Sequence, residues 1–152
     1  MPAIKADEIA GRVGEAMGTS EWIEVDQERI NQFAECTGDH QFIHVNPDMA
    51  KMTPFGTTIA HGFLTLSLIP KMSYGDAAAS IAGARMGVNY GLNKLRFIAP
   101  VKNGKKVRGH FKLTGYEEKS PGQHLLTQEV TVEIEGEDKP ALVAETLTLL
   151  FT

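Results

Sequence analysis

The chain has 152 residues but only one cysteine, one tryptophan and, between Ala77 and Tyr116, no acidic residue at all. A lone Cys36 excludes an internal disulfide framework and fits a reducing cytoplasm, where we place the protein. It stands near a helix end, in the run ECTG, and reads as a small packed residue rather than a catalytic thiol. No stretch approaches about 18 apolar residues without polar interruption, so we expect no membrane span. Charges at Lys5, Asp7 and Glu8 leave no apolar segment of signal-peptide length near the start. A net charge of −4 argues against a nucleic-acid partner, as does the lack of aromatic residues interleaved with basic ones.

What is present is ordinary in amount and uneven in placement. Apolar content of 42% and charged content of 22% are those of a soluble globular protein. The length suits one domain, residues 1–152, able to bury a single substantial core. The acid-free stretch carries Arg85, Lys94, Arg96, Lys102, Lys105, Lys106, Arg108 and Lys112, leaving seven basic residues against all nineteen acidic ones elsewhere. A basic region on an acidic protein can hold phosphates. It can equally be a solvated strand face followed by a lysine-rich turn.

The chemistry concentrates between Gly38 and Ile69. Three of the five histidines, His40, His44 and His61, lie there with Asp39, among Pro, Gly, Thr and apolar residues. Gly38 reads as the stop of one helix and Pro47 as the first turn of another, so Asp39 and His44 sit on a connection anchored at both ends. A carboxylate and an imidazole sharing a water can remove one proton and return another. The alternative makes Asp39 a turn residue and His44 a half-buried loop histidine. His40 and His44 are four apart, a spacing that chelates zinc on a helix, but Gly38 and Pro47 leave little room for one. We therefore expect no metal.

His61-Gly62 opens the run Phe63 to Ile69, apolar on nearly every face, which predicts a helix buried all round. Gly62 in its first turn has a backbone N–H without a helical partner, suited to an oxygen gaining negative charge. Close helix packing is the other use for this glycine. Pro70 should kink the helix or stop it at Ile69.

The rest of the chain frames this segment. Residues 6 to 17 read as a short amphipathic helix, with Ile9, Val13 and Met17 four apart. Trp22 to Val25 alternates as a strand. Asp26 is a plausible N-cap for a helix through Cys36 that Gly38 closes. Thr53 to Thr58 reads as a flap, and Gly75 to Gly83 as a loose connection. From Arg85 on, alternation predicts strands. A parity switch beside Gly91 suggests a bulge that re-aims Asn93. Strands around Lys106–Leu113, Glu129–Glu135 and Leu142–Phe151, joined by short turns, make an antiparallel meander whose apolar face the helix covers.

Asp39-x-x-x-x-His44, then Pro47, Phe55-Gly56 and Ile59-Ala60-His61-Gly62 before an apolar helix, resembles the MaoC-like dehydratase family, most of all its (R)-specific enoyl-CoA hydratases. Leu95 to Val101 is similar to a strand of that family, and the similarity runs from about Trp22 to the C-terminus. Two departures stand out. Gln41 and Phe42 replace the usual Asn and Pro, and Pro70 stands where some members carry a Ser that supports the Asp.

The resemblance implies an α+β hot dog fold, an antiparallel sheet around a long central helix. It implies water addition to a trans-2-enoyl thioester of coenzyme A, giving the (3R)-3-hydroxyacyl thioester. Asp39 and His44 would be catalytic, the Gly62 N–H would polarise the thioester carbonyl, and His61 and Asn93 would contribute to substrate binding. Coenzyme A belongs to the substrate, so no separate cofactor is implied; single-domain members pair into homodimers. Two rivals share the scaffold: an acyl-CoA thioesterase and a non-catalytic, nodulation-type acyl-thioester binding protein. Hot dog thioesterases commonly carry a carboxylate on the central helix, and Phe63 to Ile69 has none.

Overall fold

Alternation along the last third of the chain produces the sheet. In the computed structural model, which describes residues 3–152, β4 (Lys105–Ser120), β5 (Gln123–Ile134) and β6 (Leu142–Phe151) form the expected meander. Val107, Phe111 and Leu113 of β4 and Val130, Val132 and Ile134 of β5 turn inward, while Lys106, Lys112 and Glu129 face solvent. β3 (Met86–Phe97) crosses over to pair with β6, and β1 (Ala16–Thr19) and β2 (Ile23–Val25) lie end to end along the free edge of β4. The six strands are antiparallel throughout, in the order β1-β4-β5-β6-β3 with β2 beside β4.

The concave face holds the central helix, formed by α4 (Gly62–Ser67) and α5 (Ile69–Ser73). Leu64, Leu68, Ile69 and Met72 join one core cluster with the inward residues of β4, β5 and β6. A sheet curled around such a helix is the hot dog arrangement. The helix bends at Leu68, between its two segments, and Pro70 falls in the first turn of α5. There its missing N–H costs little, because first-turn donors have no helical acceptor. This helix is not buried all round: Phe63 is 63% exposed and packs edge-on to Phe97, ring centroids 5.7 Å apart. The sheet covers only one side of it.

Three further expectations change. The segment from 6 to 17 is no helix beyond a 3-10 turn at Ile9–Arg12. Glycines at 11 and 14 interrupt it, and Met17 is buried within β1, at the irregularity between Ala16 and Gly18 where β1 pairs with β4. The stretch from Gly75 to Gly83 is not loose, since Ala77, Ala78, Ala79 and Ile81 are buried. Gln128 on β5 holds both the N–H and the carbonyl of Ala79, and Ile81 pairs with Ile4. Cys36 is exposed rather than packed, on the outer side of α1 (Gln27–Thr37). No helix is long and apolar enough to cross a membrane among the described residues.

Candidate active site

Helix α1 delivers the chain to the site. The Asp26 carboxylate accepts from the N–H of Arg29 at its start, and Gly38 ends it at φ 85°, a left-handed position that favours glycine. The chain then runs exposed through Asp39, His40 and Gln41. The N–H of Gln41 donates to Asp39 Oδ1 at 3.2 Å, a local turn that sets the carboxylate. A short helix, α2 (Phe42–Val45), follows and carries His44. Gly38 and Pro47 thus leave room for one turn, which includes His44 but not His40. His40 points instead toward Glu35, 3.7 Å away, so the two histidines expected at chelating spacing are separated.

His44 is buried, and its Nδ1 lies 2.7 Å from the carbonyl of Ile59. A carbonyl only accepts, so Nδ1 carries the proton and Nε2 presents its lone pair. Burial pushes this imidazole below its ordinary value of 6.5; the bond to Ile59 opposes that, neighbouring His61 adds to it, and Asp39 works against it. The ring is therefore a neutral base at pH 7.

Gln27 fixes the backbone behind it. Its Nε2 donates to the carbonyl of His44 at 2.8 Å, and its Oε1 accepts from the fully buried hydroxyl of Thr58. The sequence offers no signal for Gln27 or Thr58 as part of the site, because 31 residues separate them.

His61 is 3% exposed. It stacks on His44 with ring centroids 3.9 Å apart and planes 23° off parallel, and Phe33 of α1 covers it at 4.9 Å. Its Nε2 lies 3.0 Å from the backbone carbonyl of Asp39, so Nε2 carries the proton; Nδ1 is buried without a partner among the described residues. One carboxylate oxygen of Asp39 and one nitrogen from each of His44 and His61 lie within 4.8 Å of one another. This donor set fits an ion poorly. Imidazole lone pairs lie in the ring plane, and two rings stacked nearly parallel cannot aim them at one point about 2.1 Å from each.

Gly62 begins α4 beside this group. A recess of about 250 Å³ opens against it, lined by Phe55, Ile59, Ala60, Thr65, Phe97 and Val101 among others, though not by Asp39, His44 or His61. Phe55 brings the flap segment to this recess. A Cβ on Gly62 would stand 2.9 Å from the Phe97 ring, so close packing is one reason for glycine here. Asn93 stands apart. It lies at a second irregularity of β3, after the one beside Gly91, and its amide donates to Glu145 on the exposed surface. The basic stretch is partly neutralised: Glu133 binds Arg108 and His110, and Lys105 faces Glu137.

The MaoC like domain matches residues 8–137. The chain is 47% identical over 140 residues to 3-hydroxyacyl-thioester dehydratase Z of Mycobacterium tuberculosis, covering 92% of this chain and 91% of that one. It is also 47% identical over 151 residues to nodulation protein N of Rhizobium leguminosarum, covering 99% and 93%. Among solved structures, the (R)-hydratase of A. caviae superposes with a TM-score of 0.71 at 22% identity, covering 88% of this chain and 95% of that one. With Asp39, His44 and Gly62 gathered at the start of α4 and a sheet around that helix, the chain belongs to the MaoC-like dehydratase family.

Proposed function

We propose that the protein is a hydro-lyase that adds water to trans-2-enoyl thioesters of coenzyme A, giving (3R)-3-hydroxyacyl thioesters, and that it also runs the reverse dehydration. The observation that carries this reading is the pairing of the Asp39 carboxylate with a neutral His44, whose Nε2 is unbonded, beside the recess at Gly62. A water held between the two loses a proton to one of them as its oxygen bonds to C3 of the enoyl group. The proton is returned to C2, and the pair ends as it began. Charge that gathers on the thioester oxygen is met by the N–H of Gly62 at the start of α4. The reaction needs no metal and no redox cofactor.

The partner we infer is a second copy. β3 is an open edge with Met86, Val88, Tyr90, Leu92 and Phe97 exposed, an arrangement that proteins otherwise blunt or cover. Sedimentation of the protein as a dimer would support this, and a monomer at micromolar concentration would refute it.

Incubation with crotonyl-CoA and longer enoyl thioesters tests the activity. Loss of enoyl absorbance without free thiol is the expected result. Release of free thiol would make it a thioesterase, although residues 62–73 contain no carboxylate. Thermal stabilisation by these thioesters without turnover would make it a binding protein.

A further inference from the structure

The segment from Gly38 to Gln41 is exposed along its whole length, yet it carries the acid of the site. Among the described residues, its only hydrogen bond to a distant element is the one from His61 Nε2 to the Asp39 carbonyl, across 22 residues of chain. The same imidazole lies against the ring of the base, with Phe33 on its flank. One buried side chain therefore touches both members of the pair. The unpartnered Nδ1 marks the ring as poorly suited to a merely structural place, since a buried acceptor without a partner costs stability. A phenylalanine would fill the same space without that cost.

We propose that His61 is the positioning residue of this site, holding Asp39 through its main chain and His44 through its ring, so that acid and base stand at a fixed separation. The proposal rests on the hydratase reading for its kinetic test and on geometry alone for its spectroscopic one.

Two variants divide the two contacts. His61→Phe keeps the stacked ring and loses the donor. His61→Gln places an amide N–H near the position of Nε2 and loses the ring. Each is compared with the parent by melting temperature, by kcat and KM for an enoyl thioester, and by backbone 15N relaxation of residues 38–41. We expect His61→Phe to melt at the parent temperature or above it while kcat falls by about tenfold or more, the scale of a misplaced acid–base group, with KM little changed. His61→Gln should recover part of that loss.

In the spectra, the amides of Gly38 to Gln41 should gain motion in His61→Phe, because the segment loses its hydrogen bond to His61. A well-folded His61→Phe protein with parental kcat overturns the proposal. So does a loss of kcat that follows a loss of melting temperature in both variants, or failure of both to fold, since these assign His61 to the core. If the parent itself does not hydrate enoyl thioesters, the functional reading fails instead. The relaxation of these amides then decides the positioning role alone: unchanged relaxation in His61→Phe refutes it.

Discussion

His44 and Gln27 are joined through the backbone: the amide of Gln27 donates to the carbonyl of His44 at 2.8 Å, while its other end accepts from Thr58. His44 is thus held by its main chain on one side and by Nδ1 on the other. Removing Gln27 leaves a fully buried Thr58 hydroxyl without an acceptor. We expect Gln27→Ala to cost about 1–3 kcal/mol, the desolvation cost of a lost buried partner. Thr58→Val, which deletes the hydroxyl at nearly constant shape, should cost less. Urea denaturation of the two variants decides it; a larger loss for Thr58→Val would contradict the assignment.

Asp39→Asn and His44→Gln should each lower turnover by at least about a hundredfold, the scale of general acid–base catalysis. His40→Ala should be much milder, because that ring is turned toward Glu35 at the surface. Steady-state rates on crotonyl-CoA check all three. Near-parental hydration by either of the first two would remove that residue from its role.

The pH dependence follows from His44. Its folded value lies below the ordinary 6.5, so near and below that pH the unfolded chain binds more protons than the folded one. Stability is then fully present above 6.5 and is lost as pH falls through the folded value. Hydration, which needs the neutral ring, should fail over the same range. Denaturation midpoints from about pH 8 to 5 should fall in the parent and fall less in His44→Gln. Equal slopes would mean that other groups dominate.

Gly62 has two candidate roles that a double variant separates. The methyl of Gly62→Ala would crowd the half-exposed Phe97 ring, which can swing outward. We expect Gly62→Ala to fold and to lose roughly a hundredfold in turnover through a shifted N–H. Adding Phe97→Ala should relieve the crowding without restoring the rate. Full recovery in the double variant would leave packing as the reason for glycine.

Dialysis against a strong chelator should leave turnover intact, because the stacked rings of His44 and His61 cannot converge on one ion. Loss of activity restored by zinc would overturn this.

Much of the scaffold was legible in the residues. Alternation in β4 and β5 predicts which face is buried, since neighbouring side chains of a strand point to opposite faces. Asp26 and Gly38 bracket α1 because each supplies what a helix terminus lacks. The spacing of Asp39, His44 and Gly62 singled out residues that the fold gathers at the start of α4, and the resemblance named the family. Local signals were misleading where pairing partners decide. Met17 repeats with helical spacing yet is a strand residue, because β4 offers it an edge. Gly75 to Gly83 looks loose until Gln128, 49 positions from Ala79, is seen to hold it. The same is true inside the site. That His61 stacks on His44 and grips the main chain of Asp39, and that Gln27 reaches Thr58 behind them, was decided by tertiary structure alone. Such contacts join residues that no periodicity relates, and only the packing of α1, α2 and α4 brings them within hydrogen-bond reach.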